Sequence, residues 1–116
     1  MATTVTRRYH FEAGHWLPKV ADEHKCKRPH GHNYILDVTV GGQVRDNGFI
    51  IDFWDLDKIV NPIIATVDHR MLNDVTGLEN PTAENIAYWF LAQLSNCSVI
   101  GVRVYETRDC WADCTI

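Results

Sequence analysis

From His30 to Val40 the chain reads HGHNYILDVTV, with Tyr34, Leu36, Val38 and Val40 on one side of an extended backbone and Asn33, Asp37 and Thr39 on the other. That alternation commits the segment to a half-buried strand. His30 and His32 share the parity of its apolar side, so two imidazoles leave the strand's beginning on one face and point toward a protected interior or pocket. Gly31 between them is expected to let the backbone approach whatever they grip.

A third imidazole, His15 in FEAGHWLP, belongs to an earlier strand in which Val5, Tyr9 and Phe11 share one parity and Thr4, Thr6, Arg8 and His10 the other, with Arg7 breaking the pattern. If the parity persists, His15 falls on the Tyr9 and Phe11 side. Three neutral imidazoles with an open fourth position are what a catalytic zinc needs. Five of the six histidines lie within the first 32 residues, more concentration than incidental strand polarity requires. Zinc is preferred over iron because no carboxylate stands beside the pair, and over copper because no Cys or Met spacing suits it. Cys26, between Lys25 and Lys27 and followed by Arg28, is a thiol in a basic neighbourhood, which favours the reactive thiolate. The same residues also fit a closed structural site with Cys26 as fourth ligand in a binding module without turnover. Both readings stand at this point.

Length and charge narrow the classes. The 116 residues suffice for one domain, 1–116, with a single core. A net charge of −4 argues against nucleic acid as the main partner, because neutralising phosphates wants a basic face. The one dense basic patch, HKCKR, surrounds the candidate site and suits a small anion. No stretch approaches the ~20 apolar residues of a membrane span, and MATTVTRRYH lacks the apolar core of a signal peptide, so a cytoplasmic protein is expected. Cys26, Cys97, Cys110 and Cys114 have no C-x-x-C spacing and suggest neither a zinc ribbon nor a disulfide framework.

Further along, Gly41 and Gly42 suggest a bend or bulge, and Asp46, Asn47 and Gly48 a hairpin turn, after which FIIDF is expected to complete the strand pair. From Trp54, the spacing of Leu56, Ile59, Val60, Ile63 and Val67 predicts an amphipathic helix running to Asp68 and His69, kinked or restarted at Pro62. LNDVTGLENP is loop chemistry. Thr82 is an expected N-cap, with Glu84 in the first turn and Ile86, Trp89, Phe90 and Leu94 as the buried stripe of a second helix. Ile100, Val102 and Val104 mark a strand whose apolar parity Glu106 continues, and a buried-side carboxylate needs a partner. A short strand is expected around Trp111. The order of two strands, two helices and two strands predicts an α+β layer arrangement, with helices on one face of an antiparallel sheet.

Asp68 and His69 alone read as ordinary polar residues at a helix end. With FEAGH, C-x-x-x-HGHNY, DHRMLND, NPTAEN and YET in this order, however, nearly the whole chain resembles the 6-pyruvoyltetrahydropterin synthase and 6-carboxytetrahydropterin synthase family. The resemblance implies His15, His30 and His32 as zinc ligands, and Cys26, Asp68 and His69 as the triad that moves protons. It implies Glu106 as the carboxylate anchoring the pterin ring, and Thr82 and Glu84 as part of a segment near the substrate. It implies the tunnelling fold, in which small subunits form an oligomeric barrel, commonly a homohexamer, with active sites between neighbours. The implied substrate is dihydroneopterin triphosphate. The three residues between Cys26 and His30 resemble the 6-carboxytetrahydropterin synthases of the queuosine precursor route. The 6-pyruvoyl enzymes resembling animal proteins have a longer gap there, and the 6-pyruvoyl activity remains the alternative.

Overall fold

A computed structural model describes residues 1–95 and 97–116. Its frame is a long ladder between β1 (Thr3–His15) and β2 (His30–Gly42), antiparallel from Thr3↔Gly42 to His15↔His30. The helix α1 (Phe53–Ala65) follows, then the two-residue β3 (Arg70–Met71), the helix α2 (Ala83–Gln93), β4 (Val99–Thr107) and β5 (Cys110–Thr115). The sheet order is β3-β1-β2-β4-β5, antiparallel except where β3 runs parallel to β1 at Ala13↔Arg70 and Gly14↔Met71. The fold is mixed α+β, as the alternation in the sequence implied.

The parity of the first two strands holds. Tyr9, Phe11, Ala13 and His15 of β1 and Tyr34, Leu36, Val38 and Val40 of β2 are buried, and they form one core with Leu56, Val60 and Ile64 of α1 and Ile86, Phe90 and Leu91 of α2. Arg7 breaks the pattern for a visible reason. Its guanidinium reaches Asp57 of α1 at 3.2 Å, and Asp57 also accepts the Tyr9 hydroxyl at 2.7 Å. Thr82 caps α2 as expected, its Oγ1 accepting the Asn85 N–H at 3.1 Å.

Three local expectations fail. FIIDF forms no strand: the turn at Asp46–Gly48 is made, with Gly48 at φ 87° and Arg45 N–H donating to Phe49 O at 3.0 Å, but the pairing stops there. Asp52 instead accepts the Trp54 N–H at 2.9 Å and opens α1, which a local side-chain cap decides against a strand. The helix does not restart at Pro62. Pro62 and Lys58, whose carbonyl loses its partner, are both exposed, so water can satisfy that group. Nor does α1 reach Asp68 and His69. It ends at Ala65, where the Thr66 hydroxyl turns back to Ile63 O at 2.7 Å, and His69 lies beyond it at φ 58°.

On β4 the expected alternation slips by one residue. Val40 pairs with Val99 and Thr39 with Gly101, so Ile100 is an extra residue and is exposed, while Val99, Val102 and Val104 are buried. A bulge of this kind reverses which parity faces the core. A second one follows: Tyr105 pairs with Trp111 and Thr107 with Cys110, leaving Glu106 as the extra residue against β5.

Candidate metal centre and active site

The last pair of the β1–β2 ladder is His15↔His30, and His32 stands opposite Ala13 one step in from it on the same face. One ligand nitrogen from each of the three imidazoles lies within 4.8 Å of the others. Their tautomers follow from their partners. His15 Nδ1 is 2.8 Å from Pro81 O and His30 Nδ1 is 2.7 Å from Arg28 O, and a carbonyl only accepts, so both Nδ1 atoms carry the proton. In the neutral rings both Nε2 atoms then present lone pairs, yet they face each other at 3.0 Å. Two facing lone pairs require a cation between them. A proton is a poor candidate, because His15 is fully buried and burial pushes its pKa below 6.5. The group fits a metal ion, with backbone carbonyls orienting two of the ligands from behind.

His32 completes the set. Its Nε2 is buried and makes no well-aligned hydrogen bond, although Glu106 Oε1 stands 3.3 Å away. Burial lowers the His32 pKa while the Glu106 charge opposes this, so desolvation wins and the ring stays available as a neutral ligand. Cys26 Sγ and the Glu106 carboxylate lie outside the 4.8 Å group. A closed Cys-His₃ site is therefore not what this arrangement presents.

Beside the imidazoles is a recess of about 510 Å³ lined by Lys25, Cys26, Arg28, His30, His32 and Glu106, among others. Cys26 sits in a single 3-10 turn, Lys25–Lys27, its N–H held by His24 Nδ1 at 3.0 Å. The three basic residues part company here. Lys27 is occupied by Asp22 at 3.1 Å and Val20 O at 3.2 Å, whereas Lys25 and Arg28 line the recess. Glu106 arrives through the β4 bulge, a device that re-aims a side chain next to a site.

His69, with Asp68 beside it, borders a second recess of about 390 Å³ lined by Glu12, Ala13, Gly14, Gly31, His32, Asn33 and His69. Glu12, Gly14, Gly31 and Asn33 have the strand parity opposite to the three imidazoles, so this recess lies mainly on the other face of the ladder, with His32 lining both recesses. His69 Nδ1 is 3.0 Å from Asp68 Oδ1, and its Nε2 is 3.5 Å from Glu12 Oε2. Asp68 Oδ1 also accepts the Glu12 N–H at 2.9 Å, and this contact foremost holds the Asp68 pKa below its ordinary value. Within one chain, then, the structure brings Cys26 together with the imidazoles and Glu106, and brings Asp68 together with His69, and among the described residues the two recesses share His32 alone. Thr82 and Glu84 line neither recess: Thr82 serves as the helix cap and Glu84 is exposed in the first turn of α2. Gly31 is not needed for approach to the imidazoles, since it faces away from them and a Cβ there would meet only Ala13 O, at 3.5 Å.

Several supports escaped the sequence reading. Asn73 clamps the peptide after His15, accepting Trp16 N–H at 3.0 Å and donating to Trp16 O at 2.8 Å. Pro81 O and Arg28 O orient the ligands, and His24 holds the Cys26 turn. DHRMLND and NPTAEN did contain Asn73 and Pro81, but a carbonyl has no signature in a sequence.

A family model described as 6-pyruvoyl tetrahydropterin synthase matches residues 4–116. A 6-carboxy-5,6,7,8-tetrahydropterin synthase from Synechocystis is 35% identical over 111 residues, covering 90% of this chain and 84% of that protein. A dihydroneopterin monophosphate aldolase from Pyrococcus furiosus is 36% identical over 89 residues, covering 77% and 72%. Among solved structures, the Caenorhabditis elegans 6-pyruvoyl tetrahydropterin synthase superposes with a TM-score of 0.91 at 28% identity, covering 100% of this chain and 96% of that one.

Proposed function

Since the chain belongs to the 6-pyruvoyl tetrahydropterin synthase family and has its tunnelling fold, we propose that it is a zinc-dependent 6-carboxy-5,6,7,8-tetrahydropterin synthase. It would convert 7,8-dihydroneopterin triphosphate to 6-carboxytetrahydropterin with release of triphosphate and acetaldehyde, on the cytoplasmic route to queuosine. The observation that carries this reading is the pair of bare Nε2 atoms 3.0 Å apart, opening beside a recess that also holds Cys26 and Glu106.

Zinc held by His15, His30 and His32 would supply a Lewis acid that polarises side-chain oxygens of the substrate and acidifies the adjacent C–H. Glu106 anchors the pterin by accepting hydrogen bonds from its amino and ring N–H groups, which sets the side chain against Cys26. Cys26 Sγ takes or returns the side-chain proton. Lys25 and Arg28 pair with the phosphates. His69, its Nδ1 held by Asp68, makes the complementary transfer. Because Asp68 and His69 open on the opposite face from Cys26, the complete site is one shared between subunits, in a homohexamer built as a dimer of trimers. Thr82 and Glu84 contribute to substrate binding only through such a neighbour.

Zinc-loaded protein incubated with dihydroneopterin triphosphate is expected to yield 6-carboxytetrahydropterin and acetaldehyde by mass analysis. A product retaining the three-carbon side chain would assign the 6-pyruvoyl activity instead, and absence of turnover would overturn the enzymatic reading. Cys26→Ala is expected to abolish turnover with zinc stoichiometry unchanged. Loss of zinc in that variant would put the sulfur in the coordination sphere and favour the non-catalytic binding module.

A further inference from the structure

Tyr34 is fully buried, stacked on Phe11 at 4.9 Å between ring centroids and edge-on to His15 and His32 at 5.9 and 5.5 Å. Its hydroxyl has no hydrogen-bond partner among the described residues. Buried polar groups are nearly always paired, and an idle one costs stability that phenylalanine in the same shape would not. One carboxylate is close by. Ile35 pairs with Tyr105 and Leu36 with Val104, so extending the ladder by one residue sets Tyr34 beside Glu106.

We propose that Tyr34 is a positioning residue for Glu106: its hydroxyl donates to the Glu106 carboxylate when the metal engages His32. Without the ion, Glu106 Oε1 has His32 Nε2 at 3.3 Å as its nearest charged-type partner. The two atoms share no well-aligned hydrogen bond, and a metal-bound Nε2 carries no proton to donate, so the half-buried carboxylate, 26% exposed, gets no donor from His32. Among the described residues, the idle buried hydroxyl set beside it by the strand register is that of Tyr34. This exchange of neighbours fixes the carboxylate for the pterin, and the protonation state agrees, since burial foremost and the Glu106 charge besides keep the phenol protonated. This inference rests on the zinc and pterin reading above, and it assigns Tyr34 a role through Glu106 rather than contact with substrate.

The test uses zinc-loaded protein and neopterin as the probe, with binding followed by its fluorescence. Tyr34→Phe is expected to keep zinc stoichiometry, to leave the metal-free protein's Tm unchanged or higher, and to weaken neopterin binding by about tenfold, as loss of one hydrogen bond to a charged group does. In a Glu106→Ala background, which lacks the accepting oxygens, the same substitution is expected to add no further loss. A Tyr34→Phe affinity within twofold of wild type, or losses that simply add, would overturn the assignment. The ¹³Cζ NMR signal of Tyr34 gives a readout on unsubstituted protein: it is expected to shift on zinc loading, and less so in Glu106→Gln. A signal indifferent to zinc overturns the exchange. If wild type itself binds no neopterin, the pterin reading falls and takes this inference with it; if wild type binds and Tyr34→Phe binds equally, only the role of Tyr34 falls.

Discussion

His15 and His69 are both imidazoles held through Nδ1, one by Pro81 O at 2.8 Å and the other by Asp68 Oδ1 at 3.0 Å, but His15 is fully buried and His69 is 74% exposed. His15 stands at the end of a thirteen-residue ladder whose register fixes it opposite His30. His69 stands on a positive-φ turn just past a helix, tied to β1 by its N–H to Glu12 O at 2.6 Å. The first arrangement is complete in one chain, because sheet pairing places all its parts. The second sets an exposed imidazole, oriented by Asp68, at the surface. The fold thus gathers the three imidazoles, Cys26 and Glu106 around one recess and sets the Asp68–His69 pair beside another.

The sharpest way to break that division is to remove each imidazole in turn. His15→Ala is expected to abolish zinc retention and turnover together, whereas His69→Ala keeps zinc near one per chain while turnover drops by about 10²–10⁴. Metal analysis showing zinc lost from the His69 variant would erase the distinction. Next in size, Asn73→Ala removes both hydrogen bonds to Trp16 and is expected to lower stability by about 1–3 kcal/mol in urea unfolding, and to weaken zinc binding. Stability loss with zinc affinity intact would mean that the clamp does not position His15.

Acid separates the two sites as well. Burial lowers the His15 and His32 pKa values, so the folded state binds fewer protons there than the unfolded state, and this contribution to stability is present above the ordinary imidazole value of 6.5 and lost as pH falls from there through the folded values. Metal-free protein is therefore expected to lose stability on acidification below about pH 6.5, and a flat profile between pH 7 and 5 would contradict it. The smallest effect tests the strained turn. Asn tolerates a left-handed backbone better than other non-glycine residues, so His69→Asn is expected to raise Tm slightly, by up to about 1 kcal/mol of stability, while turnover is lost. A lower Tm would show that the Asp68 and Glu12 contacts outweigh the backbone strain.

Much of this was legible because strand parity is a two-fold code. Tyr9, Phe11 and His15, and His30, His32 and Tyr34, fell on the faces their spacing implied, and with them the metal group. Parity failed where one residue was inserted. Nothing local distinguishes Ile100 from its buried neighbours; only the pairing with β2 makes it the extra residue. FIIDF is apolar enough for a strand, yet its final part is decided by Asp52 capping the Trp54 N–H, a contest between two short-range signals. The helix end near Asp68 was hidden because Val67 is buried in helical phase although it lies outside the helix. That Cys26 and His69 open on opposite faces is a tertiary fact, since the pair becomes readable only once β3 is laid along β1.

The bulge at Glu106 has an evolutionary consequence. Because this carboxylate is an additional residue between two regular pairs, Tyr105↔Trp111 and Thr107↔Cys110, deleting its single codon would let the β4–β5 hairpin close without a break. Loss of that one residue would thus remove the carboxylate while leaving the pairing on either side of it in place. Regaining it would take an insertion at the same point, a much rarer step than a base change, so the trait is easier to lose than to restore.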